Sequence, residues 1–273
     1  MSGVKNILAI VGDAEPGKHV LATALQAAAH LGAHVDVLHV RPDPLMGMPV
    51  TGETMSAPMI DEMTKAAEHS AVTRAAKTRA MFDSAVGGAA ATWIEDEGFE
   101  DQIVAARARR ADLIVVSPPA DSDGTTGDTL NAALMQTGRA VLTAPANGSA
   151  LSFKRIVIFW NGSAEATRAV AAALPFLKRA GQVTVLRVEE EEWYAPSEDL
   201  EAYFIHHGIA ATVAEVIPKG TRTDEALLSA ALATNADLLV MGAYTRSKLR
   251  QLILGSVTGY VLEHAQLPVL LCH

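Results

Sequence analysis

The sequence contains the same pattern twice, and this internal repeat limits the folds that the chain can adopt. Residues 35–40 and 183–188 share the pattern Val-x-Val-Leu-x-Val, 148 residues apart. Residues 111–115 and 236–240 share the pattern Ala-Asp-Leu-(Ile/Leu)-Val, 125 residues apart. The two copies therefore carry the same elements, and the first copy holds the extra residues between its second and fourth strands. We predict two domains, residues 1–147 and 152–273, which meet at a linker rich in small and polar residues.

Short apolar runs rich in β-branched residues alternate with helical patterns in both copies. The predicted strands are 6–11, 34–40, 89–94, 112–116 and 140–143, then 154–160, 182–188, 211–216, 237–241 and 268–272. The clearest predicted helices are 17–31, 60–82, 164–179 and 257–264. Nearly continuous apolar strands are typical of parallel sheets covered on both faces, and the alternation implies right-handed βαβ units. The predicted fold is α/β, with two tandem, doubly wound, mainly parallel five-stranded open sheets of the Rossmann-like type. Such sheets bind ligands beyond the carboxyl ends of their strands.

Composition excludes several classes of function. The formal net charge of −9 repels phosphate backbones, so we predict no general nucleic-acid binding. A single cysteine, Cys272, cannot form an internal disulfide or a cysteine-rich zinc site, and the nine histidines show no metal-ligand spacing. No uncharged apolar run reaches the length of a membrane span, so we predict no membrane segment. The expected location is the cytoplasm, because the first apolar run is too short for a signal-peptide core.

A Gly-Ser pair in the second copy is a candidate phosphate site. Gly255 and Ser256 come directly before the predicted helix 257–264, where unpaired N–H groups and the helix dipole favour an anion. Ser256 and Thr258 add hydroxyl donors. Three basic residues occupy the preceding loop: Arg246, Lys248 and Arg250. A plain helix cap beside a solvated basic loop would use the same residues, so the residues alone leave both interpretations open.

Residues 241–271 resemble the C-terminal signature of the universal stress protein family. ATP-binding members of that family carry Gly-x2-Gly-x9-Gly-(Ser/Thr). This sequence has Gly242, then Thr245 in place of the second glycine, then nine residues, then Gly255-Ser256. Residues 156–163 resemble the family's first strand and turn, and 183–188 resemble its second strand. Because the resemblance extends over both copies, the chain is identified as a tandem, two-domain member of this family.

The resemblance implies a stress-response regulator that binds ATP in the second domain, with Mg²⁺ as an optional companion ion. It implies no enzymatic activity beyond slow ATP hydrolysis. Phosphates would lie against the glycines and 255–258, adenine against the backbone of the second strand, and ribose near Tyr244 and Asn161. The implied nucleotide-binding residues are Asn161, Val188, Met241, Gly242, Tyr244, Thr245, Gly255, Ser256, Val257 and Thr258.

Two of these residues depart from the family pattern. Thr245 replaces a glycine, and a β-branched residue is strained wherever the backbone needs a positive φ. Asn161 replaces the usual aspartate. The asparagine amide keeps an acceptor oxygen but adds N–H donors. These departures motivate an alternative function, a nucleotide-free tandem scaffold or chaperone-like interaction protein.

The first copy is expected to be degenerate for phosphate binding. Ser117 stands where the second copy has its first glycine, two prolines follow it, and the loop to Gly127 is three residues shorter. Asp128 occupies the predicted helix start, where a carboxylate repels phosphate. Two further carboxylates add to this repulsion, Asp121 and Asp123. Asp13 is expected to be the counterpart of Asn161, so binding of an uncharged or cationic ligand by the first copy stays open as an alternative.

The remaining expectations concern assembly and the insertion. We expect the first domain to pack against the second as an internal pseudo-dimer through the last strands of both copies, and a homodimer of chains stays open. The insertion at 42–82 favours a helix that covers the core, with partner binding as the alternative. It carries five methionines: Met46, Met48, Met55, Met59 and Met63.

Overall fold

The computed structural model describes residues 3–43, 56–119, 124–148, 150–188, 197–244 and 257–273. Strands and helices alternate through these ranges. The first half contains β1 (Asn6–Ile10), α1 (Ala14–Leu31), β2 (His34–Arg41), α2 (Ala57–Val86), β3 (Ala91–Glu97), α3 (Glu100–Ala108), β4 (Leu113–Val116), α4 (Gly124–Gln136) and β5 (Ala140–Thr143). The second half contains β6 (Arg155–Phe159), α5 (Ala164–Leu177), β7 (Gln182–Val188), α6 (Ser197–His206), β8 (Ala211–Val216), α7 (Thr223–Ala233), β9 (Leu238–Gly242), α8 (Val257–His264) and β10 (Val269–Cys272). All ten predicted strands are present.

The strands form one sheet in the order β3-β2-β1-β4-β5-β10-β9-β6-β7-β8. Neighbouring strands within each half are parallel, as in the pairs β1–β4 and β6–β9. Only β5 and β10 are antiparallel neighbours, with Leu142 opposite Leu270. The predicted α/β fold with mainly parallel, doubly wound sheets is confirmed, and the two five-stranded sheets join along one edge. This pairing covers two edges that would otherwise present unpaired backbone groups.

The repeated aspartate of the Ala-Asp-Leu pattern joins two strands in each half. Asp112, before β4, accepts hydrogen bonds from the backbone N–H groups of Lys5 and Asn6 at 2.8 and 3.0 Å. Asp237, before β9, accepts from the backbone N–H groups of Lys154 and Arg155 at 3.1 and 2.9 Å. A carboxylate thus fastens the amino-terminal ends of adjacent strands in the same way twice. The sequence repeat therefore reflects a repeated structural contact.

Helices cover both faces of the sheet. One buried cluster takes side chains from α1, α2, α5 and α6, represented by Leu21, Phe82, Phe176 and Phe204. The other takes side chains from α3, α4, α7 and α8, represented by Val104, Leu134, Leu227 and Val261. The chain leaves β1 and β6 toward the first face, and it leaves β4 and β9 toward the second. A crevice therefore opens beyond the carboxyl ends of β1 and β4, and another opens beyond β6 and β9.

The strand β3 extends three residues past its predicted end, to Glu97. Its outer residues alternate between exposed and half-buried positions, as expected for an edge strand. The charged side chains at this end are balanced across the strand pair, because Arg41 contacts Glu95 at 3.0 Å and Glu97 at 2.7 Å. The prediction stopped at the last apolar residue and therefore missed these paired charges.

The insertion helix α2 is longer than predicted and covers the core only in part. Its buried residues are Ala71, Ala75, Thr78 and Phe82, so burial begins only at the middle of the helix. The first half of the helix is exposed, including Met59 at 54 % and two apolar neighbours, Ile60 and Met63. The core-covering interpretation is thus correct for the second half of α2 and wrong for the first. Three of the methionines, Met46, Met48 and Met55, lie outside the described residues.

Candidate functional site

The second crevice lies where the carboxyl ends of β6, β7 and β9 meet. Phe159 of β6 pairs with Leu186 of β7 on one side and with Met241 of β9 on the other. Asn161 and Gly242 therefore begin their loops side by side, at the point where the helices change faces. Because β9 and β10 are parallel, α8 runs back along the sheet and places its amino-terminal end at this same edge.

The structure brings seven of the ten predicted residues to this edge. They are Asn161, Val188, Met241, Gly242, Tyr244, Val257 and Thr258. The other three, Thr245, Gly255 and Ser256, lie outside the described residues. The basic residues Arg246, Lys248 and Arg250 lie outside them as well, and so do Asp121 and Asp123 of the first half.

Three of the predicted residues direct their side chains into the protein. Val188, Met241 and Thr258 are 8 %, 4 % and 5 % exposed. Val188 and Met241 belong to the second buried cluster, among side chains of α7 and α8. A ligand at this edge would therefore meet these two residues through their backbone atoms.

The turn after β6 is built by its own side chains. The Oδ1 atom of Asn161 accepts a hydrogen bond from the backbone N–H of Ser163 at 3.2 Å. Ser163 then caps α5, because its Oγ atom accepts from the backbone N–H of Ala166 at 3.1 Å. Between them, Gly162 adopts a left-handed conformation with φ 66°. Asn and Asp both form such turns, so Asn161 can replace an aspartate here without disturbing the backbone.

Gly242 lies against the first turn of α5. A Cβ atom at this position would approach the backbone nitrogen of Ala166 to 2.6 Å and the Cβ atom of Glu165 to 2.8 Å. Both atoms belong to the start of a packed helix and not to the tip of a flexible side chain. Close packing between β9 and α5 therefore requires a glycine at this position, independently of any ligand.

Tyr244 enters the loop in an uncommon conformation. Its φ of 57° lies in the left-handed region, which costs energy for a residue with a Cβ atom. Its side chain packs half-buried against the second buried cluster, and this burial raises the pKa of the Tyr244 phenol. The phenol therefore stays neutral and able to donate a hydrogen bond over the whole physiological pH range.

One residue at this edge was missed by sequence reasoning. The Nδ1 atom of His273 donates a hydrogen bond to the backbone carbonyl of Ala243 at 3.1 Å. The backbone N–H of Ala243 donates to the carbonyl of Cys272 at 2.8 Å. No spacing or motif in the sequence indicates this contact, because it depends on how the ends of β9 and β10 meet.

The corresponding edge of the first half differs in its backbone chemistry. Ser117, Pro118 and Pro119 follow β4 and line a cleft of about 800 Å³ that also contacts the end of α8. Gly127 and Asp128 lie inside α4, which already includes Gly124, so the prediction that Asp128 marks the helix start is wrong. A glycine within a helix costs only about 1 kcal/mol, so burial of the later α4 residues suffices to extend the helix through it.

Asp13 occupies the cap position of α1 without a side-chain capping hydrogen bond. Its Oδ1 atom lies 3.9 Å from Nε of Arg74, a residue of α2. The two side chains line an open cleft of about 630 Å³ between the start of α1 and the middle of α2. The strand register places Gly12, and not Asp13, in the position of Asn161, so the expected correspondence is wrong, and Asp13 lies beside a cation from the insertion helix.

The described ranges contain no group of three or more His, Cys, Asp or Glu side chains placed to hold a metal ion. Within the same ranges, no helix combines the length and the apolar character that crossing a membrane requires.

The model of the universal stress protein family matches this chain twice, over residues 3–122 and 152–273. The chain therefore belongs to the universal stress protein family and contains two of its domains. No curated protein matches the sequence.

Solved structures of similar length share the fold. A universal stress protein from Archaeoglobus fulgidus DSM 4304 is 20 % identical, with a TM-score of 0.66 over 98 % of this chain and 95 % of that chain. A functionally unknown protein from Pseudomonas aeruginosa PAO1 is 16 % identical, with a TM-score of 0.57 over 98 % and 92 % of the two chains. At these identities the likeness supports the common two-domain architecture.

Proposed function

We propose that the second domain, residues 152–273, binds an adenine nucleotide, with ATP as the expected ligand, and that occupancy of this site acts as a signal in a stress response. The observation that carries the proposal is the convergence of Asn161, Gly242 and the start of α8 at one switch point of the sheet. Ligands of doubly wound sheets bind at such points. Family membership adds that a nucleotide is the expected occupant.

The burial pattern supports a particular orientation of the nucleotide. Adenine would lie against the backbone at the end of β7, because the Val188 side chain is turned into the core. Ribose would lie between Asn161 and Tyr244, where an amide and a neutral phenol offer hydrogen bonds. Phosphates would lie at Gly255, Ser256 and the first backbone N–H groups of α8, where the helix dipole favours an anion.

The proposed role is regulatory. No nucleophile or general base is proposed, so the chemistry expected at this site is at most slow ATP hydrolysis, with Mg²⁺ as an optional companion of the phosphates. The first domain, residues 1–147, would act through its packing, because Pro118 and Pro119 remove two backbone donors from the equivalent edge. The β5–β10 pairing would make the two domains an internal pseudo-dimer. The protein would act in the cytoplasm, and a homodimer of chains would be a further level of assembly.

A nucleotide-free tandem scaffold is the second candidate function. It is favoured by Gly242, whose presence is explained by the packing of α5 without any ligand. In that case the continuous sheet would hold two domains rigidly for a protein partner, and the loop between β9 and α8 would carry no phosphate.

Calorimetric titration of nucleotide-stripped protein with ATP and Mg²⁺ tests the two functions. We expect one ATP per chain and loss of binding in Gly255→Glu, because a carboxylate would stand at the phosphate position. The matched control is Gly127→Glu in the first half, where an added Cβ atom would meet no atom within 4 Å. The control should bind ATP like the wild type. Absence of binding by the wild type would favour the scaffold, and two ATP per chain would refute a phosphate-free first domain.

A further inference from the structure

We propose that His273 is a positioning residue for the nucleotide site of the second domain. By holding the carbonyl group of Ala243, it fixes the peptide group that leads into Tyr244. This inference rests on the proposed function, because Tyr244 is one of the residues assigned there to the ribose. The contact itself is a hydrogen bond of 3.1 Å from Nδ1 of His273 to the Ala243 carbonyl oxygen.

Both backbone polar groups of Ala243 are engaged by consecutive residues at the end of β10. Its N–H donates to the carbonyl of Cys272 at 2.8 Å, and its carbonyl accepts from His273. The Ala243 side chain is fully buried. The two hydrogen bonds fix the two successive peptide groups on either side of the Ala243 Cα atom, so neither group can rotate without breaking one of them.

The next residue needs this restraint. Tyr244 has a φ of 57°, and a residue with a Cβ atom holds such a conformation only when its surroundings fix it. Two residues earlier, Gly242 packs closely against the start of α5, so the end of β9 cannot move toward that helix. The left-handed conformation also sets where the Tyr244 phenol lies at this edge. His273 is the polar side chain that contacts the peptide group leading into this step.

The first half of the same chain provides a comparison without these contacts. Thr143 pairs with Val116 as Leu271 pairs with Met241, so the residue in the place of His273 is Pro145. The residue in the place of Ala243 is Pro118. Pro118 has no N–H to donate, and Pro145 has no donor in its side chain.

Both hydrogen bonds thus belong to the half that carries the glycine motif, and the half without the motif cannot form them. The first half nevertheless completes the same five-stranded order, β3-β2-β1-β4-β5. The contacts of Ala243 are therefore not required for the fold of a half. Their presence is explained by Tyr244, whose left-handed conformation they hold in place.

The test compares the ATP dissociation constant of the whole protein with that of three variants, measured by calorimetry. His273→Ala should weaken ATP binding about fivefold, which corresponds to one net hydrogen bond of about 1 kcal/mol. His273→Asn keeps a side-chain N–H donor and should recover most of this loss. His264→Ala is the control, because His264 also bonds a backbone carbonyl, that of Tyr260 at 2.9 Å, but at the far end of α8. The control should bind ATP like the wild type.

Thermal unfolding without nucleotide separates positioning from general stability. The inference requires that His273→Ala and His273→Asn have similar melting temperatures but different affinities for ATP. It is overturned if His273→Ala binds ATP as tightly as the wild type, or if both variants lose affinity and stability together. A wild-type protein that binds no ATP overturns the proposed function, and this inference with it. If the wild type binds ATP and His273→Ala binds it equally well, this inference alone is overturned.

Discussion

Replacing Gly242 by alanine is expected to destabilise the protein through one identifiable clash. The new Cβ atom would lie 2.6 Å from the backbone nitrogen of Ala166 and 2.8 Å from the Cβ atom of Glu165. Neither atom can swing aside, because both belong to the first turn of α5, which Ser163 caps at 3.1 Å. Relief requires a shift of the whole helix end or of the end of β9.

The cost follows from how tightly this contact is held. Adding a methyl group to a well-packed region typically costs about 1–3 kcal/mol, and a backbone obstacle favours the upper half of that range. We expect a loss of about 2 kcal/mol in the free energy of unfolding. For a chain of this size, that corresponds to a fall of about 4–8 °C in the melting temperature.

The assay is urea denaturation of Gly242→Ala and of a control variant, Gly12→Ala. Gly12 follows β1 in the first half, where an added Cβ atom would meet nothing within 4 Å and φ is not in the left-handed range. Gly12→Ala should be neutral or stabilising by up to about 1 kcal/mol, because it restricts the unfolded chain. If Gly242→Ala proves as stable as Gly12→Ala, the packing argument is wrong, and contact with a ligand would become the better explanation of this glycine.

Three further predictions use other contacts. Asp112→Ala removes two hydrogen bonds to a carboxylate, and Asp237→Ala removes three, one of them from the Ser152 hydroxyl. Each substitution should lower the free energy of unfolding by about 2 kcal/mol in urea melts. An unchanged urea midpoint would contradict their anchoring role. Burial, and then the Arg179 cation, lower the pKa of His30, so stability should fall as the pH drops below about 6.5, where the unfolded side chain takes up a proton that the folded one resists. Thermal melts at about pH 8 and about pH 5.5 should show a smaller difference for His30→Gln than for the wild type, and equal differences would refute this. Burial raises the pKa of Cys272 to about 12, so a thiol reagent at about pH 8 should label it only in denaturant. Rapid labelling of the native protein would contradict that burial.

The strands were predictable because parallel strands covered on both faces carry a strong, local signal. Each run such as 113–116 or 238–241 is apolar at every position, and the structure buries every one of them. The limits of α2 were less predictable. Its first turns at Ala57 and Met59 are exposed, and no buried neighbour marks where the helix begins. The sequence pattern therefore predicted the helix at 60–82, inside its true limits of Ala57–Val86.

The sequence indicated the residues that follow the ends of single strands, and it missed a contact between two strand ends. Asn161, Val188 and Gly242 were predicted from the resemblance to the family pattern, whose residues stand at fixed distances from the ends of apolar strands. His273 was missed because its hydrogen bond joins the ends of two strands that are 30 residues apart in the chain. Gly242 was predicted only as a phosphate contact. Its packing against α5 is a tertiary contact that no local sequence pattern reports.

Comparison of the two halves separates what the fold requires from what the site requires. At the amino-terminal ends of the strands, Asp112 and Asp237 repeat the same carboxylate contact, so that edge has the same chemistry twice. At the carboxyl-terminal ends of the strands the halves differ. Pro118 takes the place of Ala243, and it has no N–H group to form the hydrogen bond that Ala243 donates to Cys272. A requirement of folding should apply equally to both copies, whereas a requirement of ligand binding can be relaxed in one. The divergence is concentrated at the edge where doubly wound sheets bind their ligands, which is the distribution expected if one copy kept a binding role and the other became its structural partner.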